Sequence, residues 1–346
     1  MIDDLKPILA ALADGKTLSE QEAVDAFDLL MAGEADLAQT AAFLMALRLR
    51  GETIDEITAG AKSLRSKALM LSAPDGTVDT CGTGGDGLKT LNISTAAALV
   101  AAAAGATVAK HGNRSVSSKS GSSDVLLALG ANLDIPVDAH QEALKQFGYS
   151  FLFAPKHHAA VRHVAPARAS LGLRTVFNLL GPLANPSGTK RQVLGVFDHK
   201  WLRPMAEVMK RLGSEHVMVV HGADGLDEIS ISGPTFVAEL KDGAVTEYQI
   251  DPESVGLSPY PLSDIVGGDT QHNAGAIMAL LEGRKDAYRD IVAFNAGAAL
   301  YVGGTVSTIQ DGIHKATDAI DTGAGLRLLE NWIDFTQQHA QPGDAS

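Results

Sequence analysis

The sequence predicts an α/β protein. A small N-terminal helical domain over residues 1–72 precedes a larger α/β domain over 73–340, whose mainly parallel central sheet is flanked by helices. Three observations predict this. Three helix-capping boxes follow one another before residue 60. Pro74-Asp75-Gly76 then marks a turn, after which short β-rich runs alternate with helical ones, the pattern of a parallel sheet. The length of 346 residues suits two domains at roughly 100–200 residues each.

The capping boxes pair Ser19 with Glu22, Asp36 with Gln39 and Thr53 with Glu56. Gly33 and Gly51 stand where a glycine past the helix end is expected. Phe27, Leu30 and Met31, then Phe43, Leu44 and Leu47, recur at helical spacing. So much apolar surface on so small a bundle predicts packing on other helices or on a second subunit. Beyond the turn, Thr77–Cys81 reads as a buried strand and Gly82–Gly87 as a glycine-rich loop. A helix is expected from about Ser94 to Ala104, and Ser94 or Thr95 is expected to cap it. Ala106–Lys110 reads as the next strand, with helices near Ser122–Leu129 and Ala139–Phe147. Further strands are expected at Tyr149–Phe153, Gln192–Phe197, His216–His221, Thr235–Leu240 and Val245–Ile250, the last two as an edge hairpin around Asp242-Gly243. Asn178–Pro186 is apolar and turn-rich, suited to a hinge or wall. The C-terminal third is mostly helical, and the tail after about His339 is small and polar.

Composition narrows the function. A formal net charge of -13 argues against a general nucleic-acid binder. The lone cysteine, Cys81, rules out an internal disulfide, fits a reducing cytoplasm and reads as a small buried residue. The N-terminus has no signal-peptide pattern, and no apolar run is long enough to span a bilayer.

Against this acidic background, Gly87 to Ser123 contains no Asp or Glu but carries Lys89, Lys110, His111, Arg114 and Lys119. Glycine turns, helix N-termini, hydroxyls and cations are what a phosphate requires. The preceding loop fits neither common phosphate motif. Gly82, Gly84 and Gly87 match a dinucleotide fingerprint, but no acidic residue follows before Asp124 to hold a ribose. Leu88, between Gly87 and Lys89, breaks the register of a Walker loop. Asn92-Ile93-Ser94-Thr95 opens a helix whose N–H groups can serve an anion. Lys110-His111-Gly112-Asn113-Arg114 follows a strand, hence the ligand end of a parallel sheet, and the serine-rich loop beyond is placed to close over a pyrophosphate. A second acid-free stretch, Ala143 to Phe197, supplies His157, His158, Arg162, His163, Arg168 and Arg174. Its histidines lack metal-ligand spacing, whereas one of its arginines can take a carboxylate in bidentate fashion. Asp227-Glu228, after a strand and a turn, suggests an Mg²⁺ site.

In this order, Gly82-Thr83-Gly84-Gly85-Asp86, Asn92–Thr95, Lys110–Arg114, Asn178-Leu179-Leu180-Gly181-Pro182-Leu183 and Asp227-Glu228 closely resemble the anthranilate phosphoribosyltransferases, over nearly the whole chain. The resemblance implies a cytoplasmic homodimer joined through the helical domain, with helices from about 157–190 packing onto that domain. It implies that phosphoribosyl pyrophosphate is held by Gly82, Gly85, Asp86, Thr90, Asn92, Ile93, Ser94, Thr95, by Lys110, His111, Gly112, Asn113, Arg114, Ser115, Val116, Ser117, Ser118 and Lys119, and by Ser122. Mg²⁺ would be held at Ser94, Asp227 and Glu228. Anthranilate would be placed by Gly82, Asn113 and Arg168, with Arg168 facing its carboxylate. Lys110, His111 and Arg168 are the implied catalytic group: Lys110 against the departing charge, His111 bonding substrate or handling a proton. Contact with anthranilate synthase stays open, since no fused amidotransferase segment is seen. A pyrimidine nucleoside phosphorylase on the same fold would have no metal pyrophosphate for Asp227-Glu228 to hold. A non-catalytic nucleic-acid-binding relative would be expected to lose that pair or the glycine loop.

Overall fold

A computed structural model of the protein describes residues 4–114 and 120–341. Four helices come first: α1 (Lys6–Ala13), α2 (Glu20–Ala32), α3 (Leu37–Arg50) and α4 (Ile54–Ser66). All three predicted capping boxes form, so the starts of α2, α3 and α4 are set by side chains three residues apart in sequence. The chain then alternates: β1 (Val78–Gly82), α5 (Ile93–Ala103), β2 (Val108–Gly112), α6 (Ser122–Ala128), α7 (Val137–Phe147), β3 (Tyr149–Phe153). Three short helices, α8 (Ala154–His157), α9 (Ala165–Leu171) and α10 (Val176–Leu180), lead into β4 (Arg191–Gly195). After α11 (Leu202–Arg211) come β5 (His216–Gly222), β6 (Thr235–Lys241) and β7 (Ala244–Ile250). The chain closes on α12 (Thr270–Leu281), α13 (Ala287–Val302), α14 (Ile309–Asp321) and α15 (Ala324–Gln338).

The strands form one sheet in the order β3-β2-β1-β4-β5-β6-β7. β1 to β5 run parallel, and β6 and β7 add the antiparallel edge hairpin. β1, β2 and β3 progress to one side, whereas β4 lies on the other side of β1. The order therefore reverses between β1 and β4, and ligands of open α/β sheets bind outside the carboxyl ends of strands at such a reversal.

Each face of the sheet has its own core, because successive strand residues point to opposite sides. On β5, Met218 and Val220 join the Ala-rich α5 and the buried α13, whose small residues allow close packing. Val217 and Val219 join α11 and, through it, Phe27, Phe43, Leu47 and Leu64 of the N-terminal helices. Val164, Ala167, Val176, Phe177 and Leu180 complete that second core. The N-terminal helices thus bury their apolar faces partly on helices and partly through α11 on the sheet. Asn178–Pro186, read as a turn-rich hinge or wall, includes the end of α10. Its Leu179, Leu180 and Leu183 are buried, so it is a wall packed from within.

Candidate active site

The glycine loop leaves β1 at the reversal point. Thr83 ties it to the neighbouring strand: its N–H donates to the Gly195 carbonyl (2.8 Å), and its hydroxyl accepts the Phe197 N–H (3.0 Å). Gly85 has φ +79°, a left-handed conformation that only glycine adopts freely. Gly82 and Gly195 are glycine for a different reason. Asp227 crosses the ends of both strands, and a Cβ on Gly82 would stand 2.8 Å from its carboxylate while one on Gly195 would run into its carbonyl.

The adjacent carboxylates part company here. Asp227 Oδ2 accepts the Gly84 N–H (2.7 Å), and Glu228 Oε1 accepts the Ser94 N–H (3.2 Å). One residue pins the glycine loop, the next the first turn of α5. This corrects the expected cap. Neither Ser94 nor Thr95 caps α5, whose N-cap residue is Asn92, and the Asn92 side chain makes no bond to the helix N–H groups. Glu228 satisfies the orphan N–H instead, from a loop that sequence distance hides. Thr95 is buried and donates its hydroxyl to Ser122 Oγ (3.0 Å), linking α5 to α6. Asn92 is held by Asn273 Nδ2 (2.8 Å), and Thr90 bridges to Val266. Ile93 is core. Asp86 folds back to accept the Leu88 N–H (3.0 Å).

The electrostatics are those of crowded carboxylates. Burial, then the charges of Asp86 and Glu228, push Asp227 well above the ordinary aspartate range. Burial pushes Glu228 up to about 7, against the pull of Lys110 and the Ser94 bonds. Buried like charges of this kind are relieved by a cation. Among the described residues no group of three or more His, Cys, Asp or Glu side chains is placed to hold a metal alone. Magnesium needs only one or two carboxylates when phosphates and water complete its shell, and these hard oxygen donors fit it. Cys81 is inert at this point, its thiol pushed up by burial.

A second compartment opens beside β2. A cavity of about 470 Å³ is lined by His111 and Asn113 from the end of β2, and by His158, Arg162, Arg168 and Phe177 among others. Arg168 packs its guanidinium 5.4 Å from the Phe177 ring centre. Burial lowers its pKa from the usual value, but a guanidinium stays charged. His111 and His158 meet edge to face at 5.2 Å. Burial, with mutual repulsion among the histidines, holds His111 well below its ordinary range and His158 near about 4, so both are neutral at pH 7. Among the described residues the rings of His111 and His158 make no well-formed hydrogen bond, their nearest partners being the backbone of Gly181 and of Ala184.

The structure therefore gathers the sequence candidates into two sets at the ends of the adjacent strands β1 and β2. Gly82, Gly85, Asp86, Ser94, Asp227 and Glu228 surround the strand ends, whereas Asn113 and Arg168 face the cavity. Lys110 is buried, donating from Nζ to the Thr80 carbonyl. Arg114 is exposed beside the Phe153 ring. Ser115, Val116, Ser117, Ser118 and Lys119 lie outside the described residues. Sequence reasoning assigned no role to His158, Arg162 or Phe177. The second acid-free stretch, which holds all three, was the available signal.

A glycine loop at a sheet reversal, crowded carboxylates beneath it and a half-apolar cavity alongside define an enzyme that joins a phosphorylated ligand to an organic acceptor. Residues 74–326 match the glycosyl transferase family α/β domain, and residues 6–68 the helical bundle domain of the same family. The chain is 54% identical to an anthranilate phosphoribosyltransferase of Azospirillum brasilense, over 97% of this chain and 94% of that one. It superposes on the Thermus thermophilus anthranilate phosphoribosyltransferase with a TM-score of 0.90 and 45% identity, covering 95% and 99% of the two chains. The Saccharomyces cerevisiae anthranilate phosphoribosyltransferase, solved with phosphoribosyl pyrophosphate and Mg, matches with a TM-score of 0.87 and 28% identity over 96% and 99%. This chain belongs to the anthranilate phosphoribosyltransferase family.

Proposed function

We propose that this chain transfers the phosphoribosyl group of phosphoribosyl pyrophosphate to the amine of anthranilate, releasing pyrophosphate, in tryptophan biosynthesis. The observation that carries the reading is the adjacency of the β1 and β2 ends. β1 runs into the glycine loop and the end of the adjacent β2 lines the cavity, so sites for donor and acceptor at these strand ends would be neighbours.

We assign the donor to Gly82, Gly85, Asp86, Thr90, Asn92, Ile93, Ser94, Thr95, Ser122 and the segment 110–119. Anthranilate is assigned to the cavity, with Arg168 on its carboxylate and Asn113 and Gly82 near its amine. The nitrogen lone pair attacks C1 of the ribose as the C1–O bond breaks, and that electron pair leaves with pyrophosphate. The nitrogen then sheds a proton. His111, neutral and lining the cavity, would accept it or hold the amine by a hydrogen bond. Asp227, Glu228 and Ser94 would hold Mg²⁺, which when bound neutralises charge on the leaving group. Lys110 adds a fixed cation behind it. Positioning of the two substrates supplies much of the remainder.

We place the homodimer contact on the helical domain, where Leu37 and Leu49 of α3 stand 54% and 80% exposed. Light scattering in solution checks this, and a monomer at all concentrations contradicts it. A cytoplasmic location suits the free thiol of Cys81. Among the described residues no helix is long and apolar enough to cross a membrane.

The test is loss of anthranilate fluorescence with pyrophosphate release followed in parallel. Loss that needs enzyme, phosphoribosyl pyrophosphate and Mg²⁺ together, matched by pyrophosphate, is the expected result. No loss, with phosphorolysis of thymidine or uridine instead, overturns it.

A further inference from the structure

The sheet is split at its functional end. β1 pairs with β4 along five residues, Val78↔Arg191 to Gly82↔Gly195, and β2 pairs with β3 along five, Val108↔Tyr149 to Gly112↔Phe153. β1 and β2 pair at Val78↔Val108, with the Val78 N–H donating to the Thr107 carbonyl (2.9 Å). Beyond that point the two strands form a fork that opens toward Gly82 on one side and Gly112 on the other.

Three backbone groups in the fork would pair with the neighbouring strand in a closed ladder. Each is met by a side chain instead. Asp79 Oδ1 accepts the His111 N–H (3.0 Å). Lys110 Nζ donates to the Thr80 carbonyl. Asn185 Nδ2 donates to the Ala109 carbonyl (2.8 Å). Asp79, Lys110 and Asn185 are 0%, 1% and 3% exposed. Burying a carboxylate and an ammonium is costly, and a closed ladder would satisfy the same backbone groups without either. The wedge makes sense where strand separation itself is needed. Here it sets how far Lys110 and His111 stand from the glycine loop.

We infer that Asp79 is a positioning residue for the transfer reaction: from inside the β1–β2 fork, and together with Asn185, it fixes Lys110 and the His111 backbone opposite the phosphate-binding loop. The inference builds on the function proposed above and assigns work to a residue that touches neither substrate. Burial pushes the Asp79 carboxyl up to about 6, and the Lys110 charge opposes that rise. The other carboxylate oxygen, Oδ2, accepts from Gln192 Nε2 (3.5 Å), so Asp79 is held in the fork from both sides and meets Lys110 through charge.

The test is a double-mutant cycle with Asp79→Asn, Lys110→Gln and the double variant, read as kcat/KM for phosphoribosyl pyrophosphate and as donor binding by calorimetry. Asp79→Asn keeps the shape, removes the charge, and is expected to lower kcat/KM about 100-fold, the scale of a small misplacement at a reacting centre. In the double variant the loss should be no greater than in Lys110→Gln alone, because Asp79 acts through Lys110. Asn185→Ala, which weakens the wedge from another element without changing charge, should lower kcat/KM about tenfold in the same direction. Should Asp79→Asn fail to fold, the cycle of Asn185→Ala with Lys110→Gln decides by the same criterion. Additive losses, or a folded Asp79→Asn variant with unchanged kcat/KM, overturn the inference while leaving the function intact. A wild type that binds no phosphoribosyl pyrophosphate overturns both.

Discussion

The two compartments of the site solve opposite electrostatic problems. At the strand ends, Asp86, Asp227 and Glu228 are crowded, and burial holds the carboxyls of Asp227 and Glu228 toward the neutral form. In the cavity the titratable rings of His111 and His158 are held neutral, and the fixed charge comes from the guanidinium groups of Arg162 and Arg168. The first compartment gains affinity by relieving its own repulsion. The second, on the proposed reading, offers a preset surface to a flat ligand with one anionic group. A donor that brings a metal and an acceptor that brings none call for this division.

The difference can be broken most severely at the carboxylates. Replacing both Asp227 and Glu228 by alanine should cut Mg²⁺-dependent turnover by about 10³-fold or more while the fold persists, since charge stabilisation at the leaving group is lost. Circular dichroism with a pyrophosphate-release assay checks this, and retained activity would remove the metal assignment.

A smaller effect follows from pH. Glu228 must ionise to hold a cation, and its value in the free protein lies near about 7. Apparent Mg²⁺ affinity should therefore rise with pH by at least about tenfold per unit between about 5 and 7, because the raised Asp227 must lose its proton as well. A carboxyl raised in the folded state has the opposite effect on stability of the metal-free protein. Its contribution is favourable at low pH and is lost as pH rises from the ordinary glutamate value through about 7. Melting in EDTA should then show that decline, and Mg²⁺ should offset it. The neutral cavity histidines predict no comparable pH dependence of anthranilate KM over the same range.

The smallest expected change lies far from both compartments. Ser19→Ala removes one capping box and should cost about 1 kcal/mol of stability without altering either KM. A KM change there would tie the helical domain to the site more tightly than its packing suggests.

What was legible from sequence follows the same division. The grouping at the strand ends was legible because its parts are short consecutive motifs, Gly82–Asp86, Asn92–Thr95 and Asp227-Glu228, which the fold brings together. The capping boxes were legible because partner residues sit three apart. The cavity was legible only in part: His111 and Asn113 sit in the Lys110–Arg114 motif and Arg168 came from the resemblance, whereas His158 and Phe177 lie in other segments and carry no local signature. The cap of α5 was misread for a related reason: Glu228 lies 134 residues from the Ser94 N–H it accepts. The β1–β2 fork was invisible, since a missing ladder is a property of backbone pairing and Asp79 reads in sequence as an odd polar residue in a buried strand.

The proposed division requires that the two compartments hold different substrates. Steady-state kinetics of Arg168→Ala test it most directly. Loss of a charged hydrogen-bonded contact should raise KM for anthranilate by about 10- to 100-fold and leave KM for phosphoribosyl pyrophosphate within about twofold. Equal increases for both substrates would contradict the division.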